Sequence, residues 1–137
     1  MKSPGAAKWC NLFLSMILLV SCGKTKEDYF KSAKEKSGSH DYAGAISDYS
    51  KIIESDPQDA DAYQARGYVK RLSGDYIGAI QDYSKSIELR PTDGAPYVGR
   101  GMTKISMGDK EGGCVDLSKG LERGYAKAAD LMKENCK

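Results

Sequence analysis

The chain has 137 residues, with 21 Lys and Arg against 19 Asp and Glu, one His and four Cys. That length holds one domain, and at 40% hydrophobic and 29% charged the sequence is too apolar for a disordered chain. A formal charge of +2 falls short of the clustered basic excess that nucleic acid requires, and a single His leaves little room for metal or acid–base chemistry.

Both excess positive charges lie at the start, at Lys2 and Lys8, and the first acid is Glu27. Trp9–Val20 follows, interrupted only by Asn11 and Ser15. A spanning helix takes roughly 20 apolar residues, so this stretch is too short to remain as an anchor. A basic start, a short apolar core and small residues after it form the pattern of a secretory signal. Its ending, Leu19-Val20-Ser21-Cys22, resembles the lipobox of bacterial lipoproteins. The resemblance implies cleavage before Cys22, which makes residues 1–21 a signal peptide and 22–25 a lipid-anchor segment. In that family the Cys thiol carries a diacylglycerol and the new amino group an acyl chain such as palmitate. Each buried methylene contributes about 0.8 kcal/mol, so two or three chains hold durably where one does not. Gly23 stands where an Asp marks inner-membrane retention in enterobacteria, which favours delivery to the outer membrane. The expected location is therefore lipid-anchored, facing the periplasm or the cell surface. Without Lys2 and Lys8, Cys22–Lys137 has 19 basic and 19 acidic residues.

From Asp41 the sequence repeats itself. Asp41–Gly74 and Asp75–Gly108 align without a gap, and 18 of their 34 pairs are identical. Asp109, Gly112, Asp116, Ser118, Lys119 and Glu122 continue the register, and Lys26–His40 supplies a divergent segment ahead of the first copy. Asp41, Asp75 and Asp109 suit helix N-caps, because a carboxylate accepts from the free amides of the first turn. Ala45, Ile46, Tyr49 and Ile53 recur at helical spacing and make one apolar face. Pro57 and Pro91 end what precedes them, since proline cannot continue a helix.

A 34-residue period with Gly74-Asp75-Tyr76 at the turn, Ala45 with Tyr49, Ala79 with Tyr83 and a closing proline resembles the tetratricopeptide repeat. The resemblance covers Lys26–Glu122 and implies an all-α solenoid of three antiparallel helix pairs, at about 26–59, 60–93 and 94–124 within a domain of 26–137. Stacking the pairs builds the core, and the segment 125–137 is expected to form a capping helix over Tyr125–Cys136. Lys36 stands where the family usually has an apolar residue, so the first repeat is expected to be the loosest. Gly113 and Gly120 replace better helix formers, each at a cost of up to ~1 kcal/mol.

The cysteines divide by position. Cys10 leaves with the signal and Cys22 carries the lipid, so Cys114 and Cys136 remain in an oxidising compartment. The turn at Arg123-Gly124 makes their segments antiparallel and brings the two nearly level, which predicts a disulfide. No His or third Cys accompanies the pair, so no metal is expected.

No catalytic residue, cofactor or small-molecule substrate is expected. His40, the lone imidazole, reads as a solvated turn residue with no nucleophile near it. Of nine Tyr, seven fall at repeat-core positions, and Tyr68 and Tyr125 do not. The resemblance places the first helix of each pair on a concave wall. The lining residues there are Glu27, Phe30, Lys31 and Lys34, then Asp61, Gln64, Ala65, Tyr68 and Arg71, then Ala95, Val98, Gly99, Met102 and Ile105. The candidate groove is carried by Phe30, Lys34, Gln64, Tyr68, Arg71, Val98, Met102 and Ile105. Members that clamp a terminal carboxylate use Lys, Asn and Arg at points that hold Phe30, Ala65, Ala95 and Gly99 here, which excludes that subclass. The remaining expectation is an envelope scaffold or assembly adaptor that binds an unidentified protein or peptide in its groove. The alternative is a structural or surface-exposed lipoprotein with no dedicated groove ligand.

Overall fold

A computed structural model describes residues 23–137, so the signal segment and Cys22 lie outside the described residues. Among these there are seven helices and no strand: α1 Lys26–Gly38, α2 Tyr42–Ser55, α3 Ala60–Leu72, α4 Tyr76–Leu89, α5 Ala95–Ser106, α6 Lys110–Glu122 and α7 Ala128–Asn135. Consecutive helices pack as antiparallel neighbours, α1 on α2, α3 on α4 and α5 on α6, with each pair stacked on the next. None of them is long and apolar enough to cross a membrane.

The turn inside each pair is made by two adjacent residues with opposite duties. At the end of α3, Asp75 N–H donates to Lys70 O at 2.9 Å and Gly74 N–H to Arg71 O at 3.2 Å, a Schellman closure. Gly74 has φ +86° there. The Asp75 side chain then accepts from Gly78 N–H at 2.9 Å and starts α4. Asp41 and Asp109 do the same through Gly44 and Gly112, each at 2.9 Å. The first turn puts His40 in the left-handed position at φ +64°, and its Nδ1 lies 2.8 Å from the Tyr42 hydroxyl. Nothing stands within 4 Å of a Cβ placed on Gly74, so Gly74→Ala isolates the backbone cost. It is expected to lower stability by about 1 kcal/mol in urea denaturation, since a left-handed L-residue costs 1–2 kcal/mol and the unfolded state returns part of that.

The core is built from small and aromatic residues. Ala33, Ala45, Tyr49, Ile52, Ala62 and Val69 form a buried cluster across α1 to α3, while Val98, Leu117 and Ala128 join α5, α6 and α7. Gly113 and Gly120 belong to this packing rather than weakening it. A Cβ on Gly101 would stand 2.8 Å from Gly113 O, and one on Gly113 would stand 2.7 Å from Gly101 O. Backbone therefore meets backbone between α5 and α6, and the lost helix propensity is exchanged for close approach.

A buried ion group recurs once per repeat, and it is no part of what the repeat pattern predicts. Asp82 on α4 receives Arg66 Nε and Nη2, both at 2.8 Å, and Lys70 Nζ at 2.9 Å. Asp116 on α6 receives Arg100 Nε and Nη2 and Lys104 Nζ, each at 2.8 Å. Arg66 Nη1 also donates to Ser50 Oγ on the preceding α2, and Arg100 Nη1 to Ser84 Oγ on α4, both at 3.0 Å. Lys36 is the first-repeat member of this set, 2.7 Å from Asp48, with Ser32 donating to the same oxygen at 2.6 Å. Lys36 is thus a repeat feature with a partner, not an intruder at an apolar site. The loosening expected of the first repeat reduces to Ser32 standing where the later copies have Arg66 and Arg100.

Burial pushes the Asp116 carboxyl upward, but hydrogen bonds from Arg100 and Lys104 outweigh it and hold it below the usual carboxylate range. Asp48 is held low in the same way by Lys36 and Ser32 against burial. A depressed folded pKa adds stability that is fully present above the unfolded value of about 3.9 and is lost as pH falls through the folded one. The urea midpoint is accordingly expected to be level between about pH 7 and pH 5 and to drop below about pH 4.

Candidate groove on the concave face

The face formed by α1, α3 and α5 encloses an open groove of ≈ 710 Å³. Six of the eight residues expected there line it: Lys34, Gln64, Tyr68, Arg71, Val98 and Met102. Asp61, Ala65, Ala95 and Gly99 line it as well. Phe30 does not; it turns toward α2, where its ring stands edge-on to Tyr49 at 5.4 Å, and it borders a separate shallow depression with Glu27, Lys31, Lys34 and Glu35. Ile105 does not either, because it packs against the core cluster that α5 shares with α6 and α7. A Cβ on Gly113 would strike it, so the missing side chain on α6 makes the space that draws Ile105 away from the groove.

The floor and one end come from elements outside the three wall helices. Tyr49 of α2 and Tyr83 of α4 reach between the walls from below. A Cβ on Gly99 would lie 2.5 Å from the Tyr83 ring, so glycine is what lets that ring sit under α5. Burial raises the Tyr83 phenol above its ordinary range, opposed by Arg71. At the far end, Tyr125, Lys127 and Leu131 of the capping segment complete the lining. Tyr125–Lys127 is a turn, and the last helix covers Ala128–Asn135 rather than the full stretch from Tyr125 to Cys136. The two tyrosines that core packing did not absorb, Tyr68 and Tyr125, both border the groove.

Tyr68 is 49% exposed, and the Arg71 guanidinium stands 5.4 Å from its ring centroid. Arg71 Nε is buried with no hydrogen-bond partner. Asp61, the one acid of the lining, is occupied by Arg90 at 2.8 and 3.2 Å. Cys114 and Cys136 are joined, with Cα atoms 5.8 Å apart, and the bridge fastens α7 to α6 beside the groove's end. Among the described residues no group of three or more His, Cys, Asp and Glu is placed to hold a metal ion.

Residues 49–81 match a tetratricopeptide repeat. The match to the family model runs from the second half of α2 through the turn into α4. Its three helix pairs and capping helix form a tetratricopeptide solenoid similar to solved ones. The first such domain of human RPAP3 superposes with a TM-score of 0.77 at 17% identity, over 81% of this chain and 89% of that one. The first such domain of Spaghetti (RPAP3), bound to the HSP90 peptide SRMEEVD, gives 0.75 at 17%, over 81% and 90%. The TPR2B domain of yeast Sti1, in complex with an Hsp70 peptide, gives 0.70 at 20%, over 80% and 87%. At these identities the likeness is one of fold. No curated protein matches the sequence.

Proposed function

We propose that this tetratricopeptide protein is a membrane-anchored scaffold of the bacterial cell envelope, lipidated at Cys22, that holds another protein by a segment laid in its concave groove. The groove carries this reading: an open trough with an aromatic floor, exposed Tyr68 and half-buried Met102 on its walls, and no constellation of polar groups suited to chemistry. Solved relatives of this fold that hold peptides support the same use. The anchoring half rests on Lys2, Lys8, the apolar run Trp9–Val20 and the lipobox-like Leu19-Val20-Ser21-Cys22. Only Gly23, Lys24 and Thr25 separate that cysteine from α1, so the solenoid would work close against the bilayer.

A photocrosslinking residue in place of Tyr68, in the full chain in cells, is expected to give one dominant adduct. Adding Met102→Glu, with helicity unchanged by circular dichroism, is expected to abolish it. An adduct indifferent to Met102→Glu would remove the groove from the function. In parallel, Cys22→Ala is expected to block incorporation of labelled palmitate and to release the protein from membranes, and continued labelling would remove the anchor.

A further inference from the structure

The mature chain is neutral overall, yet the groove is not. The cations around the buried carboxylates of α2, α4 and α6 are matched: Arg66 and Lys70 with Asp82, Arg100 and Lys104 with Asp116, Lys36 with Asp48. Lys34, Arg71 and Lys127, the three cations of the groove lining, form no ion pair among the described residues. The one acid beside them, Asp61, is already neutralised by Arg90. The trough lining therefore carries positive charge that is uncompensated among the described residues.

Arg71 is the most specific of the three. It is partly buried, its guanidinium lies against the Tyr68 ring, and its Nε is a buried donor without an acceptor. A buried donor left unmade costs free energy, and a planar guanidinium held by stacking is prepared to receive a carboxylate in fixed geometry. Next to it the exposed face of Tyr68 and the side chains of Val98 and Met102 offer an apolar seat, closed at the far end by Leu131. Positive charge beside an apolar seat matches a segment with the opposite arrangement.

Resting on the reading of this groove as a protein-binding site, we infer that its occupant is an acidic–apolar peptide segment. An internal Asp or Glu of the partner faces Arg71, flanked by further acids toward Lys34 and Lys127, and an aliphatic or aromatic residue packs between Tyr68 and Met102. The carboxylate belongs to a side chain rather than a chain end, because the positions that would clamp a terminus hold Phe30, Ala65, Ala95 and Gly99. Such pairing fixes which segment binds and how fast it is captured more than it fixes raw affinity, and it weakens as salt rises.

The test is selection of a displayed library of random 12-residue peptides on the full chain in detergent, alongside Arg71→Glu and Tyr68→Ala/Met102→Ala variants that retain native helicity. The expected result is enrichment of peptides with an Asp or Glu near an apolar residue. Their affinity should fall about 10- to 100-fold with Arg71→Glu, and Arg71→Glu should itself enrich basic peptides. Enriched peptides that are neutral or basic, or acidic ones that bind Arg71→Glu equally well, overturn the charge assignment. If those peptides are still lost with Tyr68→Ala/Met102→Ala, the groove remains a binding site of another specificity. No peptide dependent on Tyr68 and Met102 overturns the inference and the groove reading together.

Discussion

Asp82→Ala is expected to lower the unfolding free energy by about 3–5 kcal/mol, because it strands two cations in the interior. Asp82 is 4% exposed, and the side chains of Arg66 and Lys70 that surround it are 18% and 17% exposed. Domains of this kind hold a total of about 5–15 kcal/mol, so urea denaturation followed by helicity should show the midpoint fall by about a fifth or more. Asp48→Ala is expected to cost less, since only Lys36 loses a charge partner and that side chain is 35% exposed. A third variant separates the pair's worth from the cost of breaking it. Replacing Arg66, Lys70 and Asp82 together with Met, Met and Leu leaves no charge behind, and it is expected to recover most of the loss. A loss below about 1 kcal/mol for Asp82→Ala would mean that water reaches the group and that it is not an organising element.

Removing the bridge with Cys114→Ser and Cys136→Ser should cost about 3 kcal/mol in the chain-entropy account, for a sequence separation of 22. The local effect should exceed the global one. The last helix has eight residues, no side-chain hydrogen bond at its N-cap, and Ala128 as its only fully buried residue. Isolated helices need about 12–15 residues to be even marginal in water, so α7 depends on its covalent tie to α6. Hydrogen exchange is expected to show its amides losing protection in the double Ser variant while α3 and α4 keep theirs. Leu131 and Lys127 would then leave the groove's end. Unchanged protection in α7, with stability within about 1 kcal/mol of the parent, would show that packing alone retains the cap.

The helix pairs could be read from the chain because their signals are local. Asp41, Asp75 and Asp109 cap helices through amides three residues away, and the 34-residue period supplies the rest. The ion groups could not, although Arg66 and Arg100, Lys70 and Lys104, and Asp48, Asp82 and Asp116 all recur in that period. Repetition marked these positions without showing that a cation on one helix meets a carboxylate 12 or 16 residues on. Lys36, judged alone, therefore looked like a misfit. The groove divides in the same way. Its walls follow helical spacing, so Gln64, Tyr68, Arg71, Val98 and Met102 were accessible to pattern. Its floor depends on how far Tyr49 and Tyr83 reach between helices, and its end on where the capping turn folds back. Phe30 and Ile105 left the trough because tertiary neighbours offered them better burial, Tyr49 for one and the space over Gly113 for the other.

The Arg-to-Ser contacts between pairs make the solenoid modular. Arg66 reaches back to Ser50 and Arg100 to Ser84 with the same atoms and the same 3.0 Å spacing, so the junction joining one unit to its predecessor is a standard fitting. Ser118 presents the same socket on α6, but one period beyond Arg100 the chain has Glu134, and the series stops. A tandem copy of 75–108 would meet nothing but fittings already in use. A solenoid longer or shorter by one such unit would change the reach of the trough while keeping the same Arg-to-Ser contact at its joints.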